Sequence, residues 1–400
     1  MAPILSAITG DPQGRIDINS RVSISAAILM GVIGPEVFIV QPGFVQGMVQ
    51  YLGFSDSDAG FIASAEMFGI AATTIAMTFF AHRVNWRLIF ALSLLLMFLA
   101  NAACTLVTDL QFFGIARVLA GLGAGGLVSL SFAAIGLTAN PDRNFGLLIM
   151  WVLIYGALGL LLMPTAYRLA GMQGVLWFFA LFPLFGLPFV RHLPVNGEEH
   201  FQVEADAIDI PVPFKAMALF AMLAYFLAQG VVWAYLFRIG TAAGLSEQQV
   251  ANGLTLSQFA GIGGALLAAL LAHRYGRAAP LSIGIAAGAA MLFLLIGDFS
   301  LLQFSAAVIV YNFCWNLVHP FLLAAMASFD RRGRVVVYAV AMQMLGLAFG
   351  PGLAALVIDE GSYVNVNWLG AALFAASLLL ILPPVRVQAR LYANNRRLMA

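Results

Sequence analysis

The sequence is poor in charge. Its 400 residues include only 19 basic and 18 acidic side chains, 9% in all, while 62% are hydrophobic. A soluble chain of this length needs charge over most of its surface, so a soluble globular protein is excluded. Cysteine is nearly absent. Cys104 and Cys314 both lie inside apolar runs and read as core packers, not as a disulfide or metal pair. The net charge of +1 gives no reason to expect a nucleic-acid partner. No phosphate-binding loop is visible, no paired histidines share a helix face, and no soluble catalytic domain is present. The sequence therefore calls for no cofactor or metal, and an enzyme is not expected. Residues 1–20, with Asp11, Arg15 and Asp17, lack the layout of a cleaved signal peptide. The first apolar run is expected to be its own insertion signal.

What fills the chain is apolar runs of about 20 residues, the length that crosses a hydrocarbon core of ~30 Å as a helix rising ~1.5 Å per residue. Polar punctuation divides them into twelve expected spans: 21–50, 57–81, 86–106, 110–138, 144–168, 173–191, 213–239, 247–272, 279–297, 301–327, 334–358 and 364–383. Pro35 and Pro42 predict a kink in the first. One connection is long. The polar, acidic stretch from Arg191 to Lys215 has prolines near both ends and reads as a linker between two six-span halves. The expected division is a cytoplasmic segment 1–20, a bundle 21–191, a linker 192–212, a bundle 213–384 and a tail 385–400. With the N-terminus inside, 16 of the 19 basic residues fall on inside segments. Asp56, Asp58, Asp109, Glu247, Asp298, Asp359 and Glu360 fall outside. The basic asymmetry puts both termini and the linker in the cytoplasm; in a bacterial cell the expected membrane would be the inner (plasma) membrane. The fold class is an all-α polytopic membrane protein made of two pseudo-symmetric six-helix bundles.

The halves are related in sequence. "GFSDSDAG" at Gly53 corresponds to "GLSEQQVA" at Gly244, and "AHR" ending at Arg83 to "AHR" ending at Arg274. Both matches have an offset of 191, without a gap across 31 positions, six of them identical. An even number of spans separates the equivalents, so both halves insert the same way up. Transporters built from such parallel halves bind substrate near the bilayer midplane.

Here the chain resembles the major facilitator superfamily, over nearly its whole length. "RVLAGLGAG" from Arg117 to Gly125 is similar to the family's fourth-span motif, an arginine followed by Gly-x-Gly. "LGFSDSDAGFIAS" resembles the usual entry into span two. Two departures stand out. The family's loop after span two carries an Asp-Arg pair, whereas here it reads "AHRVNWR", with His82 at the acid position before Arg83. The loop after span eight reads "AHRYGR", again with a histidine, His273, before Arg274. These four are the expected gating-loop residues. The Gly-Pro signature of antiporters in span five is reduced to Gly159 and Pro164, and a fuller copy, "GLAFGPGLAA", stands in span eleven. The resemblance implies the twelve-helix fold and a part in proton coupling for Arg117.

Polar residues inside the spans are the candidate site. A polar group facing lipid is costly, so such residues turn inward. Spans three, six, nine and twelve are the blandest, so every third helix is expected to face lipid. Glu36, Glu66 and His319 are the intramembrane groups able to titrate, and with Arg117 they form the expected proton-coupling set. Glu66 lies ten residues beyond Asp56, about 15 Å at ~1.5 Å per residue and so half-way through a ~30 Å core. Its blander reading is a carboxyl bonded to a neighbouring helix. Glu36 could instead satisfy backbone freed at Pro35, and Arg117 could sit in a structural ion pair. The expected substrate wall combines Gln41, Tyr225, Gln229, Trp233, Gln258, Asn312, Trp315, Asn316 and Gln343. Tyr225, Gln229 and Trp233 share one helix face, and Asn312, Asn316 and His319 share another. Gly121 with Gly125, and Gly346 with Gly350, read as helix-packing pairs. Arg238 lies near an outer helix end, from which it can snorkel.

The resulting expectation is a monomeric secondary transporter in the lipid bilayer, moving a small organic solute with protons by alternating access. Arg117 and Arg238 lean the solute towards an organic or aromatic acid taken up by the cell. The competing readings are a proton-driven multidrug efflux antiporter and, from another class, a membrane-embedded sensor or enzyme.

Overall fold

A computed structural model describes residues 16–107, 109–197, 206–271, 276–359 and 361–399, with side chains as far as residue 395. The chain divides into two compact units, Met1–His200 and Phe201–Ala400. In the first unit the helices are α1 (Arg21–Ile33), α2 (Glu36–Ile39), α3 (Gln41–Leu52), α4 (Asp56–Phe80), α5 (Trp86–Leu106), α6 (Leu110–Gly136) and α7 (Pro141–Leu181). In the second they are α8 (Val212–Trp233), α9 (Leu236–Ala242), α10 (Glu247–Leu271), α11 (Ala278–Phe293), α12 (Leu301–Ser328), α13 (Arg334–Val357) and α14 (Val364–Met399). Among the described residues β pairing is limited to one isolated bridge, Asp359 with Ser362. Nine helical stretches there are long and apolar enough to cross a membrane, and Arg21–Ile33 and Ala278–Phe293 are shorter apolar helices. Large apolar side chains such as Leu99, Leu162, Leu266 and Leu379 stand exposed, as a lipid-facing surface requires.

Local chemistry sets the helix ends. Ser20, Ser55, Asn85 and Asp109 cap α1, α4, α5 and α6 by accepting backbone N–H bonds in the first turn, and Ser300 caps α12 in a reciprocal box with Gln303. The 191-residue repeat is written into these ends. Helices α1 and α8 begin at 21 and 212, α4 and α10 span 56–80 and 247–271, and α6 and α12 begin at 110 and 301. Gly53 and Gly244, also 191 apart, both take the left-handed conformation at the turn (φ 73° and 84°), which a side chain would oppose.

The first span breaks where its prolines predict, and several other boundaries differ from expectation. The first span breaks at Gly34–Pro35 and again at Val40, before Pro42. Its counterpart breaks at Ala234–Tyr235, where neither proline nor glycine stands. Helix α7 covers the fifth span and part of the sixth, and the chain turns at Gly171 (φ 63°, ψ −172°) before continuing as a 3-10 helix over Phe182–His192. Helix α14 does not stop at 383 but runs through Pro383 and Pro384 to Met399. The segment beyond is rich in Arg, Gln, Ala and Leu, which are good helix formers.

That extension has a partner. Asp206 accepts two hydrogen bonds from Arg277, at 2.7 and 3.0 Å, and Gln388 of α14 donates to the Asp206 backbone carbonyl at 2.8 Å. Ile208 and Ile210 donate to the carbonyls of Ser328 and Phe329. The described end of the linker is thus strapped across α11, α12 and α14. Partial burial pushes the Asp206 carboxyl up, but the hydrogen bonds and charge of Arg277, with the bond from Gln388, outweigh this and hold it below the usual range. A depressed carboxylate stabilises the fold above its unfolded value, near 3.9, and the contribution is lost as pH falls through the folded value. Asp206→Asn is expected to lower stability at neutral pH by about 1 kcal/mol, discounted for solvent screening at this half-exposed pair. Thermal unfolding should show the same gap at pH 7 and pH 5, closing towards about pH 3–4.

Candidate functional site

In the first unit, α4 and α6 pack backbone to backbone. A Cβ on Gly121 would lie 2.1 Å from the Glu66 carbonyl oxygen, and one on Gly69 would lie 2.3 Å from that of Val118. This closeness, of the small-residue kind, puts Glu66 of α4 directly on Arg117 of α6. Arg117 Nε donates to Glu66 Oε2 at 3.3 Å and Nη2 donates to Glu66 Oε1. Its third nitrogen, Nη1, donates to Asn101 Oδ1 on α5. Asn101 Nδ2 donates to the Phe179 carbonyl at 3.0 Å and to Glu36 Oε1 at 3.4 Å. The Phe44 ring closes the site, 5.1 Å from the guanidinium carbon. Glu36, Asn101 and Arg117 have no exposed surface, and Glu66 has 4%. Glu36 Oε2 and both polar atoms of Gln41 are buried without a hydrogen-bond partner among the described residues.

The second unit carries a different arrangement. Tyr311 donates to Gln229 Oε1, Asn312 Nδ2 to Ser257 Oγ at 3.2 Å, and Asn316 Nδ2 to Asn312 Oδ1 at 2.9 Å. His319 Nε2 donates to Gln343 Oε1 at 3.1 Å, and its ring stands edge-on to Phe226 at 5.0 Å. Trp233 and Trp315 meet edge-on at 5.8 Å, and Tyr225 packs edge-on to Phe374. Trp315, Asn316 and His319 are half-buried, whereas Gln229, Gln258 and Asn312 are buried. The wall consists of amides, hydroxyls, indoles and one imidazole, carried mainly by α8 and α12.

The profile of the Major Facilitator Superfamily matches residues 26–330 and, separately, 218–397. The chain belongs to the major facilitator superfamily. No curated protein matches it in sequence. Among solved structures, the nucleoside transporter NupG is similar over 91% of this chain and 98% of its own, with a TM-score of 0.68 at 14% identity. A D-xylose–proton symporter is similar over 90% of this chain and 96% of its own, with a TM-score of 0.70 at 15% identity. At such identity the likeness concerns the fold.

This facilitator-family chain is therefore a multi-pass membrane transporter. Of the residues expected to couple protons, the structure brings together Glu36, Glu66 and Arg117, while His319 stands in the second unit's wall. The expected packing pairs hold: a Cβ on Gly125 would lie 2.5 Å from the Ile70 carbonyl oxygen, and one on Gly350 would lie 2.5 Å from Gly230 Cα. His82 and Arg83 are exposed and bond each other, Arg83 Nε to His82 Nε2 at 3.0 Å. His273 and Arg274 lie outside the described residues. Asn101 is the lone strongly polar residue in the interior of the third span and stands outside the expected site. That isolation was the available signal, since a lone amide in twenty apolar residues needs partners. Its burial among charged groups gives the third span an inward side, besides the side on which Leu92, Leu95 and Leu99 stand exposed. The arginine reading also changes. Arg117 is enclosed by Glu66, Asn101 and Phe44, and Arg238 donates to the Tyr363 hydroxyl at 3.1 Å.

Proposed function

We propose that the protein is a proton-coupled secondary transporter working by alternating access, with its proton site in the Glu36–Asn101–Arg117–Glu66 cluster. A charge count carries the reading. Two carboxyls share one guanidinium in a site closed to water, so one bound proton makes the cluster neutral. Uncompensated buried charge is expensive, which makes uptake and release of a single proton the natural chemistry here. Glu66 has both oxygens on Arg117, whereas Glu36 has one oxygen without a partner. This supports Glu36 as the proton carrier and Glu66 as the fixed counter-ion of Arg117.

For the solute, we infer a neutral molecule with several hydrogen-bonding groups and a ring face, taken up with the proton. The organic acid suggested by two arginines in the sequence loses its support, because both have protein partners. The wall of Gln229, Asn316, His319 and the paired tryptophans suits hydroxyls and amides stacked against an aromatic surface. Nucleoside transport and D-xylose–proton symport, the activities of the two similar structures, are in keeping with this. The test is accumulation in proteoliposomes under an inward proton gradient, run with nucleosides, neutral sugars and aromatic acids. A neutral solute should accumulate. Gln229→Ala, Asn316→Ala or His319→Ala should each weaken its apparent affinity about 10-fold, the worth of one good hydrogen bond. Leu181→Ala and Leu294→Ala, at exposed apolar positions, should leave it unchanged. Accumulation of acids alone, with the three wall variants matching wild type, would overturn the assignment.

A further inference from the structure

We propose that Asn101 is a positioning residue that dictates which oxygen of Glu36 carries the proton and ties that proton to the charge of Arg117. The inference rests on the reading of Glu36 as proton carrier and extends it to a residue outside the expected coupling set.

Hydrogen-bond polarity fixes the orientation of the amide. Asn101 Oδ1 faces Arg117 Nη1, a group that can only donate, and Nδ2 faces the Phe179 carbonyl, a group that can only accept. Turning the amide over would set donor against donor and acceptor against acceptor. Its orientation is therefore fixed from two sides, by α6 and by the end of α7. The remaining Nδ2 hydrogen is thereby aimed at Glu36 Oε1, 3.4 Å away. Glu36 Oε1 can only accept from it. A proton arriving at Glu36 must sit on Oε2, the oxygen with no partner among the described residues.

The same amide makes the proton's presence felt at Arg117. With Glu36 ionised, the bond from Asn101 becomes charge-assisted, shorter and stronger. The carboxylate then pulls on an amide whose other end holds the guanidinium. Protonation of Oε2 relaxes that pull. The chemistry is reversible addition of one proton to one carboxylate, with no other bond made or broken. The charged and titratable groups around Glu36 are Arg117 of α6, Glu66 of α4 and Tyr155 of α7, with Cys104 of α5 beside Arg117. None of these occupies the position between Glu36 and Arg117 that Asn101 holds. Asparagine fits the task because one side chain offers a donor and an acceptor in a fixed plane. Leucine of similar size offers neither.

The experiment measures transport against pH in proteoliposomes, as proton-driven uptake where Glu36 is intact and as counterflow exchange in the Glu36→Gln background, using the solute found to accumulate. Wild type, Asn101→Leu and the milder Asn101→Ser are each prepared with Glu36 intact and with Glu36→Gln. Thermal unfolding of every variant confirms that it is folded, and Asn101→Ser serves if Asn101→Leu is not. Loss of the donor should move the midpoint of the pH–uptake curve up by about one unit, a 10-fold change in proton affinity. With Glu36→Gln the pH dependence should vanish, and the Asn101 change should add nothing to it. An unmoved midpoint in both Asn101 variants, with Glu36→Gln still abolishing pH dependence, would reduce Asn101 to packing. A shift of equal size in the Glu36→Gln background would also overturn the proposal, since Asn101 would then act elsewhere. A normal pH profile in Glu36→Gln alone would instead remove Glu36 as carrier, and both readings would fall together.

Discussion

Glu66→Gln is expected to lower the unfolding temperature of the purified protein by on the order of 10 °C. Arg117 has no exposed surface, and Glu66 receives hydrogen bonds from two of its three nitrogens. Removing one partner of a buried ion pair costs ~3–5 kcal/mol, because the other charge is left uncompensated. For a cooperative unit of roughly 200 residues each kcal/mol corresponds to about 2–4 °C. Glutamine fills the same space but replaces one acceptor by a donor that opposes the guanidinium. Glu36 then becomes the only carboxyl balancing Arg117 and must stay ionised to do so. Proton-driven accumulation should therefore be lost as well. The double variant Glu66→Gln/Arg117→Met should recover much of the stability without recovering accumulation, since it removes the stranded charge while Glu36, left buried without a counter-ion, stays protonated. An unfolding temperature for Glu66→Gln within about 2 °C of wild type, under 1 kcal/mol by the same scaling, would mean that the charge of Arg117 is balanced by something other than Glu66.

Much of the fold could be read in the sequence because its determinants are local. Ser55 and Ser246 precede helices of equal length at equal spacing, and each accepts a backbone N–H bond from the residue three places on. Asp109 announces α6 and Ser300 announces α12 by the same chemistry. The proline breaks of the first span were equally visible. The break at Ala234–Tyr235 was not, since no residue there resists a helix. Nearby, inside α8, Gly230 meets Gly350 of α13. The candidate site was legible as a list and illegible as a set of partners. Glu36, Glu66 and Arg117 were each recognisable as ionisable groups at membrane depth. Whether Arg117 faced a carboxylate or a solute depends on how α4 and α6 rotate against each other, and Gly69 and Gly121 decide that through contacts across some 50 residues of chain. Asn101 acquires its meaning only from three other elements, through Glu36 of α2, Arg117 of α6 and Phe179 of α7.

The repeat also shows that the two units have different chemistry. At the 191-residue offset, Glu36, Glu66, Asn101 and Arg117 correspond to Leu227, Ser257, Leu292 and Val308. The backbone plan is shared, but the charged cluster stands in the first unit and the amide and aromatic wall in the second. Such a division suits a proton site in one unit and solute recognition in the other.

That division leads to the second large effect. Glu36→Gln is expected to abolish accumulation against a gradient, a loss of 10-fold or more in the steady-state ratio, while solute exchange across the membrane continues. Its cost in stability should be small beside that of Glu66→Gln. Glu36 accepts a single bond of 3.4 Å from Asn101, and its other oxygen has no partner among the described residues. Glutamine keeps a carbonyl oxygen for Asn101 and puts its amide where the proton would sit, so the residue behaves as permanently protonated. The Arg117–Glu66 pair stays intact and the cluster is neutral at every pH. A transporter locked in the proton-loaded form can still exchange solute for solute, because exchange returns the carrier without unloading the proton. It cannot complete the net cycle, which requires the empty, deprotonated carrier to reorient. Counterflow at equal pH on both sides should therefore survive, and uptake driven by a pH gradient should not. If Glu36→Gln accumulated solute as wild type does, the proton would have to be carried elsewhere, and His319 of the second unit would be the next group to replace.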